Sequence, residues 1–342
     1  MPPPTIHVDG RCLEGQRTGI GVFTAEVVTR WPVPEELRVH GRGRGGPLWH
    51  LRTARAARRA GGRYLSSDSL IVPTLLGRSA TVAVHDLAPV LHPGTQTLRT
   101  RAAYRLLLGL ACRRVGAVVV PTLATAGDLV ALHPRVKNRV HVVPYSSRTL
   151  PAGALPPGVR SPYVLHAGTH EPRKGVPALV EAFLEGAADE WQLVLAGRPG
   201  WLSEPDKQRL DALVSAGGDR VLRLGFVTDE ELGALYAHAS LFAYPSDYEG
   251  FGLPVLEAMV AGVPVLIADA TAVVEVAGDA ARVVGRGPGL ADRLAEALKE
   301  LTRDAAARAA LVEAGRRRAA GFSWDRTAAG VRDAVLSTES AG

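Results

Sequence analysis

Two glutamates stand eight positions apart in the segment EGFGLPVLEA, which runs from Glu249 to Ala258. The residues from Leu253 to Gly262 are apolar nearly all round, and Pro254 suits a first helical turn, so this stretch predicts a buried helix that carries Glu257. Burying an ionised carboxylate without hydrogen bonds or a counter-charge is costly. We therefore expect Glu257 to require a polar partner.

Two cations stand at another turn, in the segment HAGTHEPRKG from His166 to Gly175. Arg173 and Lys174 precede the helical pattern VPALVEAFLEG, where free backbone N–H groups add to their positive charge. Such a turn is either an anion site or a solvated pair of cations. A second anion-friendly turn, with Gly19 and Gly21 opening a helix after the first strand, favours a diphosphate ligand.

Two weaker signals compete with this interpretation. The run GRGRGG over residues 41–46 fits the GxGxxG pattern of dinucleotide enzymes, with Asp68 further on. It follows the second strand rather than the first, and we expect Asp68 to precede the next strand, so the context argues against it.

His85 ends ATVAVHD and is either a structural hydrogen bonder or a functional residue. The sequence lacks a GxSxG elbow, a Walker A loop, HExxH and metal-ligand spacing of Cys and His.

These residues follow short apolar runs that alternate with helical patterns, which predicts parallel sheets covered by helices. The runs TIHVDG, SLIVPTLL, ATVAVHD, AVVVPT and RVHVVPY read as strands, and the pattern restarts after the Pro/Gly-rich stretch 149–162. We predict an α/β fold of two doubly wound, Rossmann-like domains, 1–150 and 151–342, with a ligand cleft between them. One helix is expected over 98–115 and three more within 290–336. The last of these, about 325–338, is a candidate to pack back on the first domain.

Composition narrows the class further. The chain has 342 residues, 46% of them hydrophobic, and a net charge of +6. Residues 1–150 hold 21 Lys and Arg against 8 Asp and Glu, which reflects either a codon preference for Arg or an anionic acceptor, lipid surface or nucleic acid. Aromatic residues at 5% argue against nucleic acid. With two cysteines, no leader pattern and no long apolar run, we expect a cytoplasmic protein that is at most peripheral to the inner membrane face.

The segment YPSDYEGFGLPVLEAMVAGVPVL, over 244–266, resembles the paired-glutamate signature of the retaining, metal-independent nucleotide-sugar glycosyltransferases with the GT-B fold, often called family four. The resemblance extends through HAGTHEPRKG, LAGRPG, GFVTDEELGALYAHA, HDLAPVLHP, GIGVFT and the terminal FSW. GTxEPRK with GIGxxT and HDLxPxxHP is most similar to the mannosyltransferase-like branch. The family builds glycans from nucleotide diphosphate sugars and needs no cofactor.

The resemblance also implies roles for individual residues. The predicted catalytic residues are Glu249, His85, Arg173 and Lys174. The two cations among them would neutralise the departing phosphate. Glu257 would accept hydrogen bonds from the ribose, and Phe226 and Val227 would lie against the base. The remaining donor contacts would come from Gly19, Gly21, Phe251, Gly252, Leu253 and Thr169. Many relatives have an Arg where Thr169 stands.

The activity implied is transfer of a hexose, first of all mannose from GDP-mannose, to an acceptor hydroxyl of a glycan, glycolipid or small molecule, with front-face retention. The acceptor is expected to be lipid-linked or anionic, with membrane contact through the basic half. Two alternatives stay open at this point: a nucleotide-sugar epimerase or phosphorylase on the same fold, and a basic binding module without activity.

Overall fold

A computed structural model describes residues 5–13, 19–40, 46–92 and 98–339. The chain divides into two compact units, which we call unit 1 (Met1–Ser146 with Phe322–Gly342) and unit 2 (Ser147–Gly321). Most of the GRGRGG run, residues 41–45, lies outside the described residues, as do residues 15–18 of the first glycine turn.

Unit 1 contains a parallel sheet whose described strands follow the order β2-β1-β3-β4-β5-β6. Its central strands are buried along their whole length, as expected for a parallel sheet covered on both faces. The strands are β1 (Ile6–Asp9), β2 (Leu37–His40), β3 (Arg63–Ser66), β4 (Ala80–Ala83), β5 (Ala117–Val120) and β6 (Val140–Val142). The helices are α1 (Gly19–Thr29), α2 (Pro47–Ala60), α3 (Ile71–Leu76), α4 (Ala88–Leu91), α5 (Leu98–Arg114) and α6 (Leu123–Leu132), with the C-terminal α14 (Trp324–Leu336).

Helix α14 is tied to unit 1 by a buried ion pair. The Glu36 side chain is 2% exposed, and its two oxygens accept hydrogen bonds from the Arg332 guanidinium, one of them at 2.8 Å from Nε. The hydrogen bonds from Arg332 hold the pKa of Glu36 below its usual range. Gly330 lies so close to Val143 that a Cβ there would come within 3.1 Å of it. The C-terminal helix is therefore part of the first unit.

Unit 2 contains a second parallel sheet, in the order β12-β11-β10-β7-β8-β9. The core packs α7 and α12 on the sheet through Phe183, Trp191, Leu193 and Leu298. The strands are β7 (Tyr163–Ala167), β8 (Gln192–Ala196), β9 (Val221–Gly225), β10 (Leu241–Tyr244), β11 (Val265–Ala268) and β12 (Arg282–Val284). The helices are α7 (Val176–Gly186), α8 (Glu204–Gly217), α9 (Asp229–His238), α10 (Leu253–Val260), α11 (Thr271–Ala277), α12 (Leu290–Arg303) and α13 (Ala305–Ala319).

One predicted strand is wrong. The run SLIVPTLL was expected to be extended, but Ile71–Leu76 forms helix α3, and the neighbouring strand is β3 over Arg63–Ser66. Pro73 explains the difference, because proline cannot donate to a sheet ladder yet fits the first turn of a helix. Asp68 consequently follows a strand rather than preceding one, so its expected position is also wrong. The helices expected over 98–115 and 290–336 are confirmed as α5 and α12–α14.

Strand order places the loops that carry the predicted site. In unit 2 the chain runs from β7 to one side of the sheet and then returns to β10 on the other, so β7 and β10 flank the point where the winding reverses. Ligands of open parallel sheets bind at the carboxyl ends of strands beside such a point. The loops that follow β7 and β10 carry Arg173, Lys174 and Glu249.

Candidate active site

The Arg-Lys turn of unit 2 packs directly on the loop that follows β10. Gly175 adopts φ +65°, and a Cβ at this position would come within 2.6 Å of the Pro245 carbonyl oxygen. The Asp247 N–H donates a 2.7 Å hydrogen bond to the Arg173 carbonyl. A left-handed residue without a side chain therefore allows the close approach of the two loops.

This approach brings together three of the residues predicted for catalysis. One Glu249 carboxylate oxygen lies 2.9 Å from Arg173 Nη1 and accepts a hydrogen bond from Lys174 Nζ. The Tyr244 hydroxyl donates to the same oxygen at 3.0 Å. The side chains of Glu249 and Lys174 are 9% and 8% exposed, respectively. We call Arg173, Lys174, Glu249 and Tyr244 the charged cluster.

Burial and charge act against each other in the charged cluster. Burial raises the pKa of Glu249, but the charges of Lys174 and Arg173 outweigh it and hold that pKa at about 2. Burial lowers the pKa of Lys174, with Glu249 opposing the change. Arg173 Nε also donates a 3.0 Å hydrogen bond to Glu171 Oε2. The two cations therefore face two carboxylates, Glu249 and Glu171, and an anionic ligand would bind through charge-assisted hydrogen bonds from Arg173 and Lys174.

Glu257 has its own partners inside unit 2. It lies on α10 and is 6% exposed. Its Oε1 accepts a 2.8 Å hydrogen bond from Arg148 Nε, and Oε2 accepts a 3.2 Å bond from the Tyr236 hydroxyl. Arg148 also pairs with Asp229 at 2.9 Å. The expectation that Glu257 requires a polar partner is therefore confirmed, with both partners supplied by the chain itself. Its contact with ribose stays a prediction of the resemblance.

Arg148 is a functional residue that the sequence patterns do not reveal. It lies 109 positions before Glu257, in the PYSSRT segment where unit 2 begins, and no spacing pattern links the two. An arginine in a segment otherwise poor in charge is the one signal available. The function of Arg148 becomes apparent only in the folded structure, where its guanidinium neutralises the buried carboxylate of Glu257.

The other predicted donor residues of unit 2 lie in the loops that follow β7 and β9 and at the start of α10. Phe226 follows β9 and is 51% exposed, with the Arg198 guanidinium 4.5 Å from its ring centroid. Val227 is half-buried and Thr169 is exposed. Gly252 precedes α10 with φ +96°, between the buried Phe251 and the half-buried Leu253.

The remaining predicted residues belong to unit 1. Gly19 begins α1 and is exposed, whereas Gly21 is buried. His85 follows β4 and is half-buried; its Nε2 lies 2.9 Å from the Ser67 carbonyl and its Nδ1 lies 2.7 Å from the Tyr145 hydroxyl. A carbonyl only accepts, so Nε2 carries the proton and Nδ1 accepts from Tyr145. Burial lowers the pKa of His85, which favours this neutral form.

Both nitrogens of His85 thus have partners within unit 1, which favours the structural role that the sequence left open. A sugar hydroxyl could reach Nδ1 only in place of Tyr145. The residues that the structure brings together are those of the charged cluster. Among the residues described, no three His, Cys, Asp or Glu side chains gather in a way that could hold a metal ion.

Residues 154–318 match the family described as "Glycosyl transferases group 1". This segment, nearly half of the chain, includes the whole charged cluster and Glu257. Residues 154–318 form a group 1 glycosyltransferase domain.

Relatives of this glycosyltransferase domain agree with the match. The chain is 38% identical over 166 residues to O-antigen chain mannosyltransferase B of Escherichia coli, covering 48% of this chain and 42% of that protein. It is 33% identical over 224 residues to the MMP alpha-(1->4)-mannosyltransferase of Mycolicibacterium hassiacum, covering 64% and 53%. The chain spans about half the length of these curated relatives.

A solved structure extends the likeness to the whole chain. Anabaena Alr3699/HepE, in complex with UDP-glucose, matches with a TM-score of 0.76 and 18% identity over 97% of this chain and 99% of that one. At this identity the likeness establishes the fold. The predicted GT-B fold is confirmed, and the resemblance to mannosyltransferase-like glycosyltransferases agrees with the relatives.

Proposed function

We propose that the protein transfers a hexose from a nucleotide diphosphate sugar to an acceptor hydroxyl, with retention at the anomeric carbon and without a metal. The charged cluster carries this proposal, since it sits in a glycosyltransferase domain at the carboxyl ends of β7 and β10. Anabaena HepE, of the same fold, was solved with UDP-glucose, which supports a nucleotide-sugar donor. The two mannosyltransferases named above support mannose, and GDP-mannose is our first choice of donor.

The chemistry follows from charge development. As the bond between the anomeric carbon and the phosphate oxygen breaks, negative charge grows on the departing nucleotide diphosphate. Arg173 and Lys174 stabilise that charge in place of a metal, within a site that is mostly shielded from water. The leaving phosphate accepts the proton of the acceptor hydroxyl as the new glycosidic bond forms on the same face. Glu249 holds the two cations in position and offers its second oxygen to a sugar hydroxyl.

Thermal stabilisation across a panel of nucleotides tests the donor. A ligand at about 100 times its Kd adds roughly 2.7 kcal/mol to the stability of the protein that binds it. We expect GDP-mannose to stabilise the protein most, and NMR of the product to show the donor's anomeric configuration. A larger effect of UDP-sugars would contradict the choice of GDP-mannose. Release of nucleotide at the same rate with and without acceptor would contradict transfer and favour hydrolysis or another reaction.

We also propose that the protein works in the cytoplasm, in peripheral contact with the inner membrane face. Helix α2 of unit 1 exposes Leu48 and Leu51, 67% and 45% accessible, beside a row of arginines that suits anionic lipid headgroups. No described helix combines the length and hydrophobicity needed to span a bilayer. Sedimentation with vesicles tests the contact: binding to phosphatidylglycerol vesicles but not to phosphatidylcholine vesicles is expected, and equal binding to both would contradict it.

A further inference from the structure

Unit 1 contains a cavity of about 210 Å³ that is separate from the charged cluster. The loops after β3 and β4, the start of α1 and helix α5 line it. Like the charged cluster, it lies at the carboxyl ends of strands beside a winding reversal, here between β1 and β3. Its polar lining consists of Ser67, Asp68, Ser69, His85, Asp86 and Tyr104.

Asp86 is the unused group of this lining. Its Oδ1 accepts a 3.0 Å hydrogen bond from the Ala88 N–H. Over the ranges that the structure describes, no arginine, lysine or histidine forms an ion pair with it. Asp68, by contrast, lies 3.5 Å from the Arg11 guanidinium. One carboxylate oxygen of Asp86 is therefore open to a hydrogen-bond donor that enters the cavity.

Tyr104 supplies the complementary group. It lies on α5, lines the cavity and keeps its proton, because burial and then the charge of Asp86 raise the pKa of its hydroxyl. A phenol donates and accepts, and a carboxylate only accepts. This pair suits a ligand with several hydroxyl groups. It disfavours a phosphate, which would meet the Asp86 charge without a cation in the lining.

Size and neighbours limit the ligand further. Sites for drug-sized ligands span roughly 300–1,000 Å³, so a cavity of about 210 Å³ suits a single sugar ring or polyol. Ile20, between the two glycines of the first turn, and His85 also line it. These are the parts of unit 1 that the resemblance assigns to the donor, so a ligand in the cavity is close to them.

We propose that this cavity binds the acceptor as an uncharged polyhydroxylated sugar or polyol, and that Asp86 binds its hydroxyls and rejects phosphorylated acceptors. The inference rests on the proposed transfer reaction and makes it more specific. It also opposes one interpretation of the basic N-terminal half, that of an anionic acceptor.

Kinetics with two acceptors test the proposal. Methyl α-mannoside is the uncharged acceptor, mannose 6-phosphate is the charged one, and the donor is the nucleotide sugar that stabilises the protein most. The variants are Asp86→Asn, which keeps the amide oxygen for Ala88, and Asp333→Asn, a control at an exposed carboxylate on α14. Each protein is assayed for acceptor KM, donor KM and nucleotide release without acceptor.

We expect the wild-type protein to use the uncharged acceptor with at least a tenfold higher kcat/KM than the phosphorylated one. Asp86→Asn should raise the KM for methyl α-mannoside tenfold or more and narrow the preference over the phosphorylated acceptor. Donor KM and acceptor-independent release should stay within twofold, and D333N should match the wild type. A tenfold rise in donor KM with an unchanged acceptor KM would overturn the proposal and assign the cavity to the donor sugar.

A wild-type preference for mannose 6-phosphate would overturn the acceptor class while leaving the transfer reaction in place. If no nucleotide sugar stabilises the wild-type protein and none is turned over, the proposed function itself is contradicted. The two failures therefore give different results in the same set of assays.

Discussion

Replacement of Lys174 by methionine gives the sharpest test of the charged cluster. The variant keeps the length of the side chain and removes its charge, so Arg173 alone faces the carboxylates of Glu249 and Glu171. If Lys174 stabilises the departing phosphate, kcat should fall by about 10²–10³, the usual effect of deleting one such contact. Lys207→Met, at an exposed lysine of α8 in the same unit, is the matched control and should keep wild-type kcat.

The cost in stability is small enough to separate the two effects. The ordinary pKa of Glu249 is 4.5, and the folded value is about 2. At 1.36 kcal/mol per pH unit, the difference corresponds to roughly 3 kcal/mol of preference for the ionised form. Arg173 still faces the carboxylate at 2.9 Å when Lys174 is removed, so about half of this preference should remain. A loss on the order of 1–2 kcal/mol leaves a protein of ordinary stability, about 5–15 kcal/mol, almost fully folded.

The assay combines nucleotide release at saturating donor with denaturant unfolding of the same preparation. A hundredfold loss of kcat in a protein that is still more than about 95% folded supports a catalytic contact. A kcat within threefold of the wild type would refute it. So would a loss of activity that disappears when the assay temperature is lowered well below the unfolding transition, because the residue would then serve stability alone.

Three other variants test the surrounding geometry. Above about pH 4.5, Glu249→Gln should have a lower free energy of unfolding than the wild type. This difference should shrink as the pH falls towards 2, because the wild-type carboxylate also becomes protonated. A difference that does not depend on pH in urea unfolding would contradict the ion pairs of Glu249. Gly175→Ala should lower the free energy of unfolding in the same assay by at least about 1–3 kcal/mol. The control Gly218→Ala should cost less, because Gly218 also has a positive φ but no atom lies within 4 Å of the added Cβ. Equal losses would show that the contact with Pro245 is unimportant. Arg148→Met leaves the buried Glu257 with Tyr236 and should destabilise the protein by about 3 kcal/mol and raise the donor Kd. Arg160→Met, at an exposed arginine of the Pro/Gly-rich stretch 149–162, is the control and should alter neither by more than a small amount. An unchanged Kd in calorimetry would separate Glu257 from the donor.

Much of the fold could be predicted because hydrophobic runs and turn residues alternate regularly along the chain. The helix over 98–115 and the start of α10 at the Pro254 turn followed from spacing alone. The run SLIVPTLL was predicted wrongly because an apolar run of that length fits a strand or a buried helix equally well, and only Pro73 within it argues against the strand. The true strand, RYLS, has four residues and a polar residue at each end, so its burial depends on neighbours that are distant in sequence.

The site was predictable in part for a related reason. Arg173, Lys174 and Glu249 lie in loops after strands, and strand order brings such loops together. Their ion pairing depends on side-chain rotamers and on the close approach at Gly175, which no sequence pattern reports. The partner of Glu257 could not be predicted, because Arg148 comes from a segment without regular structure. Asp86 stands beside a predicted histidine, and its position in the lining of a cavity becomes visible only in the folded structure.

The return of α14 to unit 1 has a consequence for the order of events during synthesis. The ribosome completes β1–β6 long before it makes Arg332, so Glu36 must wait for a counter-charge 296 positions downstream. Unit 2 is continuous in the chain and can finish folding in that interval. Of the two units, the one whose synthesis starts first is thus completed last. A nascent chain that stalls before residue 322 leaves a finished second unit joined to a first one that lacks the packing of α14 on its core.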